Sequence, residues 1–193
     1  MRVGIRYLLG TALLSMMVTA GYSINLSSVS RAAIVRGTVY FNQPPRLVET
    51  TTTYNDVYVW GATYYFTISV PDNAVEPLRH ITLNQREGVD NIRFDLKRTS
   101  AFEGTRRREG QKLELSDVTS QRRERTVSMT FNPPIPPGKT ITVAMKPVQN
   151  PTVPGVYLFG VTAFPAGEKA YGQFLGYGRL QFYSSGHSFF FGR

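Results

Sequence analysis

The 193-residue chain contains no cysteine. That excludes a disulfide framework, a cysteine-ligated zinc or iron–sulfur site and a thiol nucleophile. Histidine is almost as scarce. His80 and His187 are the only two, so a three-histidine metal centre cannot form within one chain. Acids are also in deficit, 13 against 22 lysines and arginines, for a formal net charge of +9. After the first 20 residues there is no long apolar run, so no later segment can cross a bilayer as a helix, which takes about 20 such residues. What is present is 41% hydrophobic residues, with 12 phenylalanines, 11 tyrosines, 17 glycines and 12 prolines. This is enough apolar mass for a core and too much for a disordered chain. The turn-rich, aromatic composition points to a single all-β domain.

The first residues read as an address. Arg2 and Arg6 precede an apolar run from Tyr7 to Val18, and Val18-Thr19-Ala20 supplies small residues for cleavage. This is the pattern of a secretory signal peptide over residues 1–20, with an alternative end at 32 after Ser30-Arg31-Ala32. An uncleaved membrane anchor is the competing reading. Losing Arg2 and Arg6 lowers the charge from +9 to +7, and losing Arg31 as well leaves +6. The mature domain stays basic. Export argues against nucleic acid as a partner and leaves anionic lipid headgroups, acidic glycans and acidic protein surfaces.

The body, residues 33–183, alternates with period two. In Ala62–Val70 the even positions Ala62, Tyr64, Phe66, Ile68 and Val70 form one apolar face, opposite Thr63, Tyr65, Thr67 and Ser69. That is a half-buried strand, and Pro71-Asp72-Asn73 turns the chain after it. Ile92, Phe94 and Leu96 alternate with Arg93, Asp95 and Lys97, and Leu113 and Leu115 with Lys112 and Glu114. Val35–Phe41, Leu78–Leu83, Val156–Ala163 and Gly178–Tyr183 complete eight or nine strands. Val127–Lys146 reads as a hairpin turned by Asn132–Gly138, with Met129 opposite Met145 and Phe131 opposite Val143. Ser116–Ser120 is open to a short helix. The expected fold is an immunoglobulin-like antiparallel β-sandwich, with 184–193 as a C-terminal tail.

Few motifs for chemistry survive inspection. Pro137-Gly138-Lys139-Thr140 lacks the earlier glycine and the following helix of a phosphate-binding loop. Gly176-Tyr177-Gly178 lacks the context of a dinucleotide site. No Gly-x-Ser-x-Gly elbow occurs, and His80 lies on the polar side of a strand. A copper site from Met129, Met145 and a histidine, His80 or His187, competes with simple core packing. A glycan hydrolase would need two carboxylates about 5–10 Å apart in a cleft, and the acids are scattered. No cofactor is expected, and a non-enzymatic binding protein is the leading expectation.

Two concentrations remain. Arg106, Arg107 and Arg108, and then Arg122, Arg123 and Arg125, flank Lys112–Leu115. Guanidinium groups chelate phosphate, sulfate or carboxylate in bidentate fashion, so these six are the anion-binding candidates. Glu103, Glu109, Glu114 and Glu124 lie close enough in sequence to neutralise part of that charge. Tyr171, Phe174 and Tyr177, in a stretch read as a long loop from Gly167 to Tyr177, are candidates for stacking on a sugar or a protein. Trp60, Tyr64 and Phe182 are assigned to core filling, and Phe189–Phe191 is either docked on the sandwich or open to a partner.

Several stretches carry a resemblance. Gly37-Thr38-Val39-Tyr40-Phe41-Asn42-Gln43-Pro44-Pro45-Arg46-Leu47, Thr51-Thr52-Thr53-Tyr54-Asn55, Trp60-Gly61-Ala62-Thr63-Tyr64-Tyr65-Phe66, Gln85-Arg86-Glu87-Gly88, the Pro-Pro-Gly turn and Gly155–Gly160 are similar to a family of exported cyanobacterial proteins known only as a domain of unknown function. The similarity spans roughly Gly37 to Tyr183. It implies an exported β-rich domain of the periplasm or thylakoid lumen, and carries over neither catalytic residues nor a function. The expected partner is an anionic surface, a glycan or an envelope protein.

Overall fold

Alternating apolar side chains can be buried only if two sheets share them, and the chain folds accordingly. A computed structural model describes residues 33–35 and 37–184. The signal peptide with either end, His187 and the Phe189–Phe191 tail lie outside the described residues. Ala33–Val35 (β1) and Thr38–Tyr40 (β2) form a small antiparallel hairpin. The first five-stranded sheet joins Arg46–Thr52 (β3), Tyr64–Ser69 (β4), Ser100–Thr105 (β6), Arg108–Leu113 (β7) and Thr140–Met145 (β10), in the order β3-β4-β10-β6-β7. The second joins Leu78–Glu87 (β5), Leu115–Gln121 (β8), Thr126–Ile135 (β9), Gly155–Pro165 (β11) and Gln173–Phe182 (β12), in the order β12-β11-β5-β9-β8. All strand pairings within the two large sheets are antiparallel. This is the expected antiparallel sandwich of the immunoglobulin-like kind, and among the described residues the only helix is two short 3-10 turns.

The core lies between the sheets. Tyr64, Phe66 and Ile68 of β4 meet Phe131 of β9, Phe159 of β11 and Phe182 of β12, all fully buried. The rings meet edge to face, Phe66 on Phe159 at 5.6 Å and Tyr157 on Phe182 at 5.5 Å between centroids. Each such side chain contributes about 1.5–3 kcal/mol by burial, and edge-to-face contact adds about 0.5–1.5 kcal/mol.

The strand pattern is right about facing and wrong about partners. Val127–Lys146 is not a hairpin, because β9 and β10 lie in opposite sheets. β9 pairs with β5 and β8, and β10 with β4 and β6. Alternation fixes which side of a strand is buried and leaves the neighbour open. The proline-rich linker is long enough to cross from one sheet to the other. Met129 and Met145 are both fully buried in the shared core. Lys112–Leu115 is not one strand either. Glu114 is the crossing point where β7 leaves the first sheet and β8 enters the second. Ser116–Ser120 is strand, not helix. Ile92–Leu96 has one bridge, Phe94 to Pro147, and ends in a 3-10 turn at Leu96–Arg98. Its apolar side still packs on the core. Val35–Phe41 divides at Gly37 into β1 and β2.

Candidate functional site

The two arginine clusters occupy two hairpin turns with different surroundings. At the β6–β7 turn, a bulge between Phe102 and Gly104 folds the hairpin back over the outer face of its own sheet. The Gly104 carbonyl accepts a 2.7 Å hydrogen bond from the Thr142 hydroxyl, which itself lies 3.0 Å from the hydroxyl of Thr67. Arg106 is laid flat by this fold. Its guanidinium sits 5.0 Å from the centre of the Tyr65 ring and donates to the Thr52 carbonyl at 3.2 Å. Arg106 is therefore part of the framework, and Arg107 and Arg108 point to solvent.

The β8–β9 turn is built as a cradle. Arg122–Arg125 closes it, with the Arg125 amide donating to the Arg122 carbonyl. Arg125 adopts φ 51°, a left-handed conformation uncommon for a side-chain-bearing residue. Its carbonyl accepts the Gln85 amide at 2.9 Å, and its guanidinium donates to the Gly88 carbonyl at 3.4 Å. Only glycine fits position 88, where φ is +116° and a Cβ would collide with the Tyr157 ring. The loop that follows is pinned from below by Gln85, 4% exposed. Its Nε2 donates to the Asp90 carbonyl at 2.6 Å and its Oε1 accepts the Ile92 amide at 3.0 Å. Asn91 Nδ2 donates across to the Arg122 carbonyl at 3.4 Å. Farther along, Val148 donates its amide to the Arg93 carbonyl at 2.8 Å.

These constraints bring Arg93 beside Arg122 and Arg125. All three line one cleft of about 400 Å³, floored by Phe94, Leu96 and Val127, and its wall contains no carboxylate. Arg93 and Arg122 are exposed and Arg125 is half-buried, so the three guanidinium groups are open to an anion arriving from solvent. Arg123 lies outside this cleft. It lines a second hollow over the outer face of β5 and β11 together with Arg86 and Glu124. A third hollow holds Asp90 in its wall. Burial works to raise the Asp90 carboxyl, but hydrogen bonds from the Thr152 hydroxyl and from the Thr152 and Val153 amides outweigh it and hold the group below the usual carboxylate range.

The aromatic candidates are not in a loop as a group. Phe174 and Tyr177 belong to β12. Residues three apart in a regular strand face opposite ways, but the register slips one residue here, leaving Leu175 unpaired. Phe174 and Tyr177 therefore share the outer face and touch edge to face at 5.1 Å, above Gly160, where a Cβ would press on the Phe174 ring at 3.3 Å. Tyr171 is in the preceding loop. It stacks on Tyr40 at 4.9 Å and donates its amide to the Val39 carbonyl. Trp60, assigned to the core from sequence, is 68% exposed, because it sits in the loop before β4 and outside that strand's alternation. Tyr64 and Phe182 are buried as expected.

Sequence reasoning missed Arg93 and Trp60. The Gly88-Val89-Asp90-Asn91 turn signature was the available signal that Arg93 follows a loop, not a strand interior. His80 faces outward from β5 against Phe164, with Nδ1 3.0 Å from the Thr130 hydroxyl. Met129 and Met145 are in the core, so these three do not form a copper site. Among the described residues no three histidine, aspartate or glutamate side chains are grouped to hold a metal. Each of four surface hollows is lined by at most one carboxylate.

Fold and site together define an antiparallel β-sandwich with an arginine-lined cleft at one end. The chain belongs to the family described as protein of unknown function (DUF2808), which matches residues 38–182. No curated protein matches the sequence. Among solved structures it is similar to the collagen-binding domain from a Staphylococcus aureus adhesin, at 9% identity and a TM-score of 0.38, over 71% of this chain and 98% of that one. It is also similar to the C-terminal domain of the Streptococcus pyogenes antigen I/II-family protein AspA, at 11% identity and a TM-score of 0.40, over 69% of this chain and 46% of that one. A structure of manganese lipoxygenase of Gaeumannomyces graminis with part of zonadhesin of Komagataella pastoris is similar at 12% identity and a TM-score of 0.41, over 69% and 48%. The chain thus spans about half of two of these three. Likenesses this distant carry neither ligand nor partner to this chain.

Proposed function

We propose that this protein is an exported, non-enzymatic binding module of the periplasm or thylakoid lumen, holding an anionic group of an envelope glycan, protein or surface between Arg93, Arg122 and Arg125. One observation carries the reading: these three guanidinium-bearing side chains line a single cleft whose wall has no carboxylate. Guanidinium groups that share a partly apolar cleft bind carboxylate, sulfate or phosphate through paired N–H donors. The loops that hold them are tied down by Gln85 and Asn91, so little ordering cost falls on binding. The apolar run and small residues before Ala20 support export.

The test separates a site from bulk charge. Retention on a sulfated matrix is compared for the parent, for Arg93→Gln/Arg122→Gln/Arg125→Gln and for Arg106→Gln/Arg107→Gln/Arg108→Gln. Both variants lose three charges. The first is expected to elute at clearly lower salt than the second. Equal losses would mean that net charge alone governs retention and would end the proposal.

A further inference from the structure

The arginine cleft does not stand alone. Val148 lines it, lines the Asp90 hollow and lines another hollow of about 640 Å³ at whose rim stands Trp60. Phe94 and Leu96 are also common to the arginine cleft and the Trp60 hollow. The hollows therefore adjoin around the segment Asn91–Leu96, the arginine cleft and the Trp60 hollow sharing Phe94, Leu96 and Val148 as walls, and together form one grooved surface. Along it stand Arg93, Arg122 and Arg125 at one part and Trp60 with Lys97 and Arg98 at the other, against two lining carboxylates, Asp95 on the Trp60 side and Asp90 in the adjoining hollow, where Thr152 and Val153 already engage it.

Trp60 is held where it stands. Its neighbour Tyr58 adopts φ 61°, and the backbone around it is bonded at three points. The Tyr58 amide donates to the Pro151 carbonyl at 3.0 Å, the Val59 carbonyl accepts the Asn150 amide at 2.8 Å, and the Tyr58 carbonyl accepts Gln149 Nε2 at 3.1 Å. Below, the buried Asn150 side chain donates to the carbonyls of Tyr54 and Asp56 and accepts from the Tyr64 hydroxyl. A left-handed tyrosine persists only where its surroundings fix it. The result is an exposed indole that pairs with no other ring among the described residues, carried on a backbone tied down at these points.

We infer that this groove takes an acidic polysaccharide: Trp60 stacks on a sugar ring while Arg93, Arg122 and Arg125 engage carboxylate or sulfate groups farther along the same chain. The inference rests on the arginine cleft as an anion site and adds the ligand class. A polysaccharide combines flat apolar ring faces with repeating negative charge, and both features of the groove are then used. An acidic peptide such as polyglutamate carries the charge but offers the indole no ring to stack on. A lipid surface would meet charges on a flat or convex face, not lining a groove. A nucleic acid could stack, but export removes it from reach.

Trp60 is the single tryptophan of the chain, so its emission reports on this groove alone. The full-length protein is titrated with polygalacturonate, heparin, neutral dextran, polyglutamate and a single-stranded oligonucleotide, with calorimetry alongside. The expected result is a saturable blue shift with polygalacturonate or heparin and none with dextran. Trp60→Ala should bind about tenfold more weakly, equivalent to about 1.4 kcal/mol, with Trp60→Phe recovering part of the loss. Circular dichroism of both variants should match the parent, since Trp60 packs no core. Binding without an emission change, with Trp60→Ala unaffected, overturns the groove but leaves the arginine cleft standing. No binding to any anion, inorganic sulfate included, ends both. An equal, Trp60-dependent response to polyglutamate or the oligonucleotide reassigns the occupant and overturns the polysaccharide.

Discussion

In sequence the two arginine turns are near twins, Arg106-Arg107-Arg108-Glu109 and Arg122-Arg123-Glu124-Arg125. In the fold they are opposites. The first is bent back onto its sheet and uses Arg106 as a brace across Tyr65 and Thr52. The second curls into a left-handed step at Arg125 and opens beside a pinned loop that contributes Arg93. The difference teaches that a density of guanidinium groups does not make a site. What makes one is a backbone that turns several of them toward the same space and keeps carboxylates out of it.

That comparison can be broken at the framework first. Asn150→Leu removes the partners of the Tyr64 hydroxyl and of two loop carbonyls at once. Burial, and then Tyr157, pushes the Tyr64 phenol far above its usual range, so it stays protonated and loses its acceptor. Urea denaturation should register a loss of about 3 kcal/mol, the cost of buried groups left unpaired, and a loss under about 1 kcal/mol would mean that Asn150 does not hold this end together. Gly88→Ala comes next, at about 2 kcal/mol, from the positive φ and the collision with Tyr157. It should also weaken anion binding by displacing the carbonyl that positions Arg125. An alanine variant as stable as the parent would show that the turn is not constrained as described.

Smaller effects sharpen the contrast between the turns. Arg106→Ala should cost about 0.5–1 kcal/mol of stability, as expected for an exposed cation over an aromatic ring, and leave anion affinity unchanged. Arg122→Ala should do the reverse, with stability within about 0.5 kcal/mol of the parent. His80 lies away from both turns and gives a weak reference signal. Burial lowers its pKa below 6.5, partly opposed by Asp117. The folded state therefore favours the neutral ring. Its contribution is complete above the unfolded value and declines as pH falls through about 6.5 toward the lower folded pKa. A stability profile flatter in His80→Gln than in the parent between pH 7 and 5 is expected, and identical profiles would remove His80 from the account.

Period-two alternation made the sandwich legible, since Tyr64, Phe66, Ile68, Val127, Met129, Phe131, Ile141, Val143 and Met145 are all buried as the pattern requires. Pairing was not legible, because an alternating strand accepts any alternating neighbour. β9 and β10 illustrate this, adjacent in sequence yet in facing sheets. Two of the three cleft arginines were visible, Arg122 and Arg125. Arg93 was hidden inside an apolar alternation that is real in burial but does not form a strand. The aromatic pair shows the same limit from the other side. Phe174 and Tyr177 share a face only through a one-residue slip at Leu175, and nothing in the local pattern marks a bulge except Gly176 beside it.

The sharpest trial of the central claim is to follow arginine Nε–Hε resonances by NMR while inorganic sulfate is titrated into the protein. The account predicts that Arg93, Arg122 and Arg125 shift together along one saturating curve, while Arg106, Arg107 and Arg108 drift weakly and without saturation. Equal drift at both turns, or saturation at Arg106–Arg108 instead, would contradict it.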